Sequence, residues 1–255
     1  MSVLLLILGL LVLLLLIGKP IQEERLINTS TEPHRGNDSE RDLVLSLLQN
    51  NFHKDAIFHD LYLQKRNGTF AQIDLVLATP VGLIVFEVKE YSGWIYGNCR
   101  STYWTQVLSY GKKKYRLYNP VLQNQRHIEE LRKKSPQFLH LPMYSVVLFD
   151  GNCELKAINH VPNNTFVIQP YELIDTLDSI IEHQPKALYS NKREVMQILS
   201  TAKSNGNNDE ILNQHIQYVE DVKRSKNSLE GEIYNESNFN PFLPSLRTVF
   251  RWLRN

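Results

Sequence analysis

The chain has 255 residues, 42% hydrophobic and 22% charged, which is the balance of a folded protein. Its 28 Lys and Arg against 27 Asp and Glu leave a net charge of +1, which excludes a global field for polyanions; any such attraction must come from a local patch. Cys99 and Cys153 lie far apart and outside any C-x-x-C pattern, which excludes a disulfide framework and argues against a cysteine zinc site.

No charged side chain occurs from Met1 through Gly18. A span needs about 20 apolar residues, with a lower limit of about 17. A cleaved signal peptide would prefer a basic start and a small-residue cleavage site, and neither is present. Residues 1–18 are therefore expected to be a retained transmembrane helix. Lys19 and Arg25 follow it with no basic residue before it, which places the C-terminal body in the cytoplasm, at the cell membrane. The N-x-[ST] triplets at Asn28, Asn67 and Asn163 read as chance in an Asn-rich chain. Residues 19–35, polar and broken by Pro20 and Pro33, read as a linker.

Leu43, Val44, Leu47 and Leu48 recur at helical spacing, and Ser39 with Asp42 resembles a capping box, so a helix is predicted from Ser39 with Glu40 in its first turn. At that position the plain role of Glu40 is to favour the helix dipole. Residues 56–63 read as a strand and Asn67-Gly68 as a tight turn. Two apolar strands follow around "TPVG", then the Gly-punctuated "SGWIYGN" and the aromatic, basic "YWTQVLSYGKKKYRLYNP". Asn119-Pro120 starts a helix that runs to about Lys134. "YSVVLFD" and "TFVIQP" read as strands and "YELIDTLDSIIEH" as an amphipathic helix. Residues 184–255 read as a polar, helical C-terminal extension. Its end, "LPSLRTVFRWLRN", is a helix docking on the body or a piece lying on a membrane surface. The order implies an α/β or α+β mixed sheet flanked by helices.

Charged residues inside apolar strands are costly unless paired. "QIDLVLATPVGLIVFEVKE" carries three: Asp74, Glu87 and Lys89. With Pro80-Val81 central in the turn, Thr79 faces Gly82, Leu75 faces Phe86 and Asp74 faces Glu87, with Lys89 on the same face. Two opposed carboxylates call for a cation, and Mg²⁺ binds through one or two carboxylates, waters and substrate phosphate. A turn centred on Val81-Gly82 instead pairs Asp74 with Lys89 as a simple salt bridge, and a three-residue loop scatters the set.

The stretch "QIDLVLATPVGLIVFEVKEYSGWIYGN" resembles the NERD (nuclease-related domain) family in its I-D strand, its Gly turn, its E-V-K strand and its Y-S-G turn. "NPVLQNQRHIEEL" resembles the family's N-P-x-x-Q helix, and Gly36 with Glu40 its first helix. The resemblance spans residues 36–183 and implies similarity to the PD-(D/E)XK nucleases, a restriction-endonuclease-like fold with an α-β-β-β-α-β core. It implies Asp74 and Glu87 as ligands of Mg²⁺ or Mn²⁺, Lys89 as the catalytic lysine, and Glu40 and Gln123 near metal and substrate. Leu75 stands where the family often has His, and Ser39 where it has Gly; neither change removes a group from the implied site.

Lys112, Lys113, Lys114 and Arg116 can contact phosphates and Tyr115 or Tyr118 can stack on a base, which makes DNA the expected partner; a solvated hairpin tip is the plain alternative. Trp94 and Trp104 read as packing residues. His127 reads as a polar-face residue of the helix that follows, within reach of assisting. No serine-hydrolase elbow or P-loop motif is present. The function expected from the sequence is metal-dependent hydrolysis of DNA by a membrane-anchored protein. The rival is an inactive, membrane-tethered module that binds DNA or a protein partner.

Overall fold

A computed structural model describes residues 18–108 and 111–229. The expected anchor therefore lies, but for Gly18, outside the described residues, as does "LPSLRTVFRWLRN". Among the described residues no helix is long and apolar enough to cross a membrane.

The elements run α1 (Asp38–Gln49), β1 (Ile57–Gln64), β2 (Phe70–Thr79), β3 (Gly82–Glu90), β4 (Gly93–Asn98), β5 (Tyr103–Leu108), β6 (Lys113–Tyr118), α2 (Pro120–Arg132), β7 (Met143–Asp150), β8 (Cys153–Asn159), β9 (Thr165–Ile168), α3 (Leu173–His183), α4 (Lys192–Asn205) and α5 (Asp209–Leu229). Five strands form a mixed sheet in the order β1-β2-β3-β7-β9. β1, β2 and β3 are antiparallel neighbours, and β7 and β9 continue parallel to β3. Four more strands form a second sheet, β6-β5-β4-β8. The mixed α+β architecture matches the expectation; the second sheet and strand β8 were not foreseen. β8 is polar and alternates little, and its parallel pairing to β4 is a long-range contact that no local pattern announces.

The central strands are covered on both sides, so β3 and β7 read as nearly unbroken apolar runs. On one side Leu75, Leu77, Ile84 and Phe86 pack with Leu43, Val44 and Leu47 of α1 and Leu173, Leu177 and Ile180 of α3. On the other, Val76, Leu83 and Val85 pack with Leu131 of α2 and Val195 and Leu199 of α4. A third cluster joins Trp104 to Val121, Val147 and Phe149, with the Trp104 and Phe149 rings stacked 5.9 Å apart.

Local signals differ from the prediction at three places. The α1 cap is Asn37, not Ser39: Asn37 Oδ1 accepts from the Glu40 N–H at 2.9 Å, which starts the helix at Asp38 and buries Ser39. Residues 18–27 are helical although a linker was predicted from residue 19, and Ile27 at the end of this helix is buried, as are Ser30, Thr31 and Arg35 beyond it. Arg35 is held there by Asp60 and by the Lys203 carbonyl, so tertiary pairing overrides the loop-like composition. After residue 184, α4 buries Val195, Leu199 and Ala202 against β1 and β2 and completes a wall of the core.

Candidate active site

The β2–β3 turn follows the Pro80-Val81 register: Thr79 pairs with Gly82, Leu77 with Ile84 and Leu75 with Phe86. Thr79 Oγ1 ties the turn by donating to the Gly82 carbonyl at 2.8 Å. The ladder ends at Leu75–Phe86. Just beyond it the Val88 N–H donates to Asp74 Oδ2 at 2.7 Å, so the strands part where the charged residues begin.

Glu87 is 1% exposed in its side chain. Its Oε1 is ion-paired with Lys89 Nζ. Its Oε2 lies 3.2 Å from His127 Nε2, without a well-directed hydrogen bond. Neither simple alternative holds in full: Asp74 and Glu87 come to one place, yet the salt bridge is Lys89 to Glu87 rather than to Asp74.

Glu40 arrives from the first turn of α1. Its Oε1 accepts from Asn37 Nδ2 at 2.5 Å, and its buried Oε2 lies 3.3 Å from His59 Nε2 with no directed partner. His59 Nδ1 is 2.7 Å from Thr31 Oγ1. Gln123 comes from the first turns of α2, whose N-terminus is capped by Asn119. A helical wheel turns Gln123 away from the apolar face, but it is only 7% exposed, and its Oε1 is buried without a partner.

Burial, and then the charge of Asp74, push the Glu40 carboxyl well above the usual range. Burial, and then Glu87, do the same to Asp74. Burial also works against ionised Glu87, but Lys89 and His127 outweigh it and hold that carboxyl below its ordinary value. Burial pulls the Lys89 ammonium down, yet Glu87 outweighs it and holds the value above normal. His59, buried and near Arg35, is drawn down to about 3 and is neutral. One carboxylate is thus firmly ionised, while two others favour the proton in the absence of a further cation.

All five residues expected at the site, Glu40, Asp74, Glu87, Lys89 and Gln123, line one cleft of about 380 Å³. Its lining carries six carboxyl groups, Glu40, Asp74, Glu87, Glu90, Glu129 and Glu130, against the cations Lys65, Lys89 and Arg126, with the imidazoles of His127 and His215 beside them. With Glu40 and Asp74 biased toward the proton the cleft is nearly balanced; once they ionise, the excess repels phosphate unless a cation enters. Buried carboxyl oxygens without directed partners, in groups that a cation would help ionise, suit a hard divalent ion in kind. Among the described residues no group of three or more His, Cys, Asp or Glu forms a ready metal cage. Mg²⁺ does not need one, since one or two carboxylates with waters and substrate oxygens suffice.

The basic segment lies elsewhere. Lys112, Lys113, Lys114, Tyr115 and Arg116 lead into and along β6, the outer strand of the second sheet, and none lines the cleft. The four cations are exposed, with the Arg116 guanidinium 4.2 Å over the Tyr103 ring. His127 proves to face Glu87, and its i, i+4 spacing from Gln123 was the available signal. Lys65, His215, Tyr218 and Val219 also line the cleft. No motif marks them: Lys65 comes from the β1–β2 connection, and only the docking of α5 on β2 brings the other three there.

Residues 35–150 match the family model of the nuclease-related domain, NERD. A protein of Bacillus anthracis, itself described as uncharacterized, is 29% identical over 164 residues, covering 64% of this chain and 73% of that protein. No solved structure matches.

Proposed function

We propose, from the match of residues 35–150 to the nuclease-related domain model, that the protein hydrolyses phosphodiester bonds of DNA with Mg²⁺ or Mn²⁺, as a PD-(D/E)XK-type enzyme anchored to the cell membrane with its body in the cytoplasm. The observation that carries this is the convergence of Glu40, Asp74, Glu87 and Lys89 on one cleft.

Asp74 and Glu87 would hold the metal. When bound, the ion supplies Lewis-acid stabilisation of phosphate oxygens and a more acidic water. Lys89, kept as an ammonium by Glu87, orients a water or phosphate oxygen by donating to it and is not the base. Gln123 offers a buried, unpartnered acceptor to the substrate or its water. Glu40, its carboxyl pushed above the usual range by burial and by Asp74, lines the cleft from the first turn of α1. His127 steadies Glu87 from α2. Lys112, Lys113, Lys114 and Arg116, with Tyr115, contact DNA away from the cleft through phosphates and stacking.

One observation favours a second reading, a non-catalytic module that binds DNA or a protein partner. Both Glu87 oxygens already face cations or potential cations, as in a structural ion pair. Incubation of the full-length chain with DNA, with and without Mg²⁺, separates the two. Loss of outer-shell partners costs metal sites about 10–100-fold, so Asp74→Ala or Glu87→Ala is expected to lower cleavage at least about 100-fold. Undiminished cleavage in those variants would overturn the assignment. Salt-sensitive DNA binding without metal-dependent cleavage would leave the module.

A further inference from the structure

Helix α5 lies outside the segment that matches the nuclease-related domain, yet it forms one side of the cleft. It is seated by Val219, 3% exposed, and by His215, whose ring meets Tyr62 edge-on at 5.4 Å. Tyr218, between them in the chain, stays 37% exposed at the cleft, with Lys65 Nζ 4.8 Å over its ring. Lys65 belongs to the β1–β2 connection, and Phe70, Ala71 and Gln72 of β2 carry the lining from there to Asp74. An aromatic face and a cation thus stand together on the lining that leads to the acidic centre.

We propose that Tyr218 and Lys65 form a subsite for single-stranded nucleic acid, which seats an unpaired nucleotide next to the acidic centre. This rests on the phosphodiesterase reading above. The subsite works by exchange. In the free protein the ammonium rests on the ring, a weak contact at an exposed site. A phosphate draws Lys65 away, and the freed ring face takes a base, a stacking contact stronger than the one it replaces. A base paired inside a duplex has no free face to offer, so the subsite selects unpaired strands. Lys65 also lies at a cleft whose other lining is rich in carboxyl groups, which directs the backbone to the Lys65 side.

The test uses the full-length chain in detergent, carrying Asp74→Ala to block cleavage, with a fluorescent 12-nucleotide strand free or annealed to its complement. Tyr218→Ala is expected to weaken binding of the free strand about tenfold and to leave the duplex unaffected. Tyr218→Phe is expected to keep the affinity, because it keeps the ring. Lys65→Ala is expected to weaken binding and to lower the salt slope by about one phosphate contact. Equal losses for strand and duplex, no loss with Tyr218→Ala, or no binding of the free strand would overturn the proposal. Cleavage that needs Asp74 while strand affinity ignores Tyr218 would sink the subsite and spare the nuclease reading. Tyr218-dependent strand binding without any Mg²⁺-dependent cleavage by the unmutated chain would do the reverse.

Discussion

Gly36 holds φ at +71°, and a Cβ built there would run into the His59 ring and come within 2.9 Å of Glu40 Oε2. A side chain at this position therefore meets both a left-handed backbone, costing about 1–2 kcal/mol, and the candidate site itself. Gly36→Ala is expected to lower stability by about 2 kcal/mol or more, read as a fall in the urea midpoint, and to lower cleavage in the same variant. A variant as stable as the parent would show that the His59–Glu40 contact is not tight. The same neighbourhood explains why Asn37 outcompetes Ser39 as the cap: its amide satisfies both the Glu40 N–H and Glu40 Oε1, so it caps the helix and orients a site residue together. A lysine beside a metal can orient the attacking water or help deprotonate it. Its partner Glu87 keeps Lys89 a cation, which favours the orienting role proposed above.

Helix α4 shows how an element reads differently in sequence and in place. Its composition is polar enough to suggest an appendage, yet Val195, Leu199 and Ala202 form a narrow apolar stripe that is fully used. Leu199 is 0% exposed beside Leu61 and Val85. Leu199→Ala is expected to cost about 3 kcal/mol of global stability by chemical denaturation, in one cooperative transition. A change under about 1 kcal/mol, or a separate early transition, would mean that α4 unfolds apart from the sheet. The β2–β3 hairpin is the opposite case. Its turn residues narrow the register to a few choices, and the pairing follows the one with Pro80-Val81 at the centre.

For the molecule as a whole, the question is how the proposed anchor would connect to the body. The helix at residues 18–27 leads directly into a buried segment, with Arg41 bonded back to Glu24 at 3.0 Å and Lys203 to the Ser30 carbonyl. A span over residues 1–18 would therefore hold the domain close to the bilayer, without a long flexible tether between them. Full-length chain is expected to sediment with membranes after high-salt washing, and a chain lacking residues 1–18 to stay in solution. Full-length, uncleaved chain in the soluble fraction would refute the anchor.

Much of the site was legible in the sequence, because its core is local. Asp74, Glu87 and Lys89 sit within one hairpin, whose short-range turn chemistry and period-two alternation decide which side chains share a face. Asn119-Pro120 likewise announces α2 and, with it, Gln123 and His127. What only the tertiary structure decided depends on contacts between distant segments. The Lys89–Glu87–His127 arrangement turns on where α2 crosses β3, the Arg35–Asp60 pair on a chain separation of 25 residues, and the Tyr218 side of the cleft on the docking of α5. Such contacts leave no periodic trace in the chain, since burying a single Arg, His or Tyr against a remote partner alters neither hydropathy pattern nor turn chemistry.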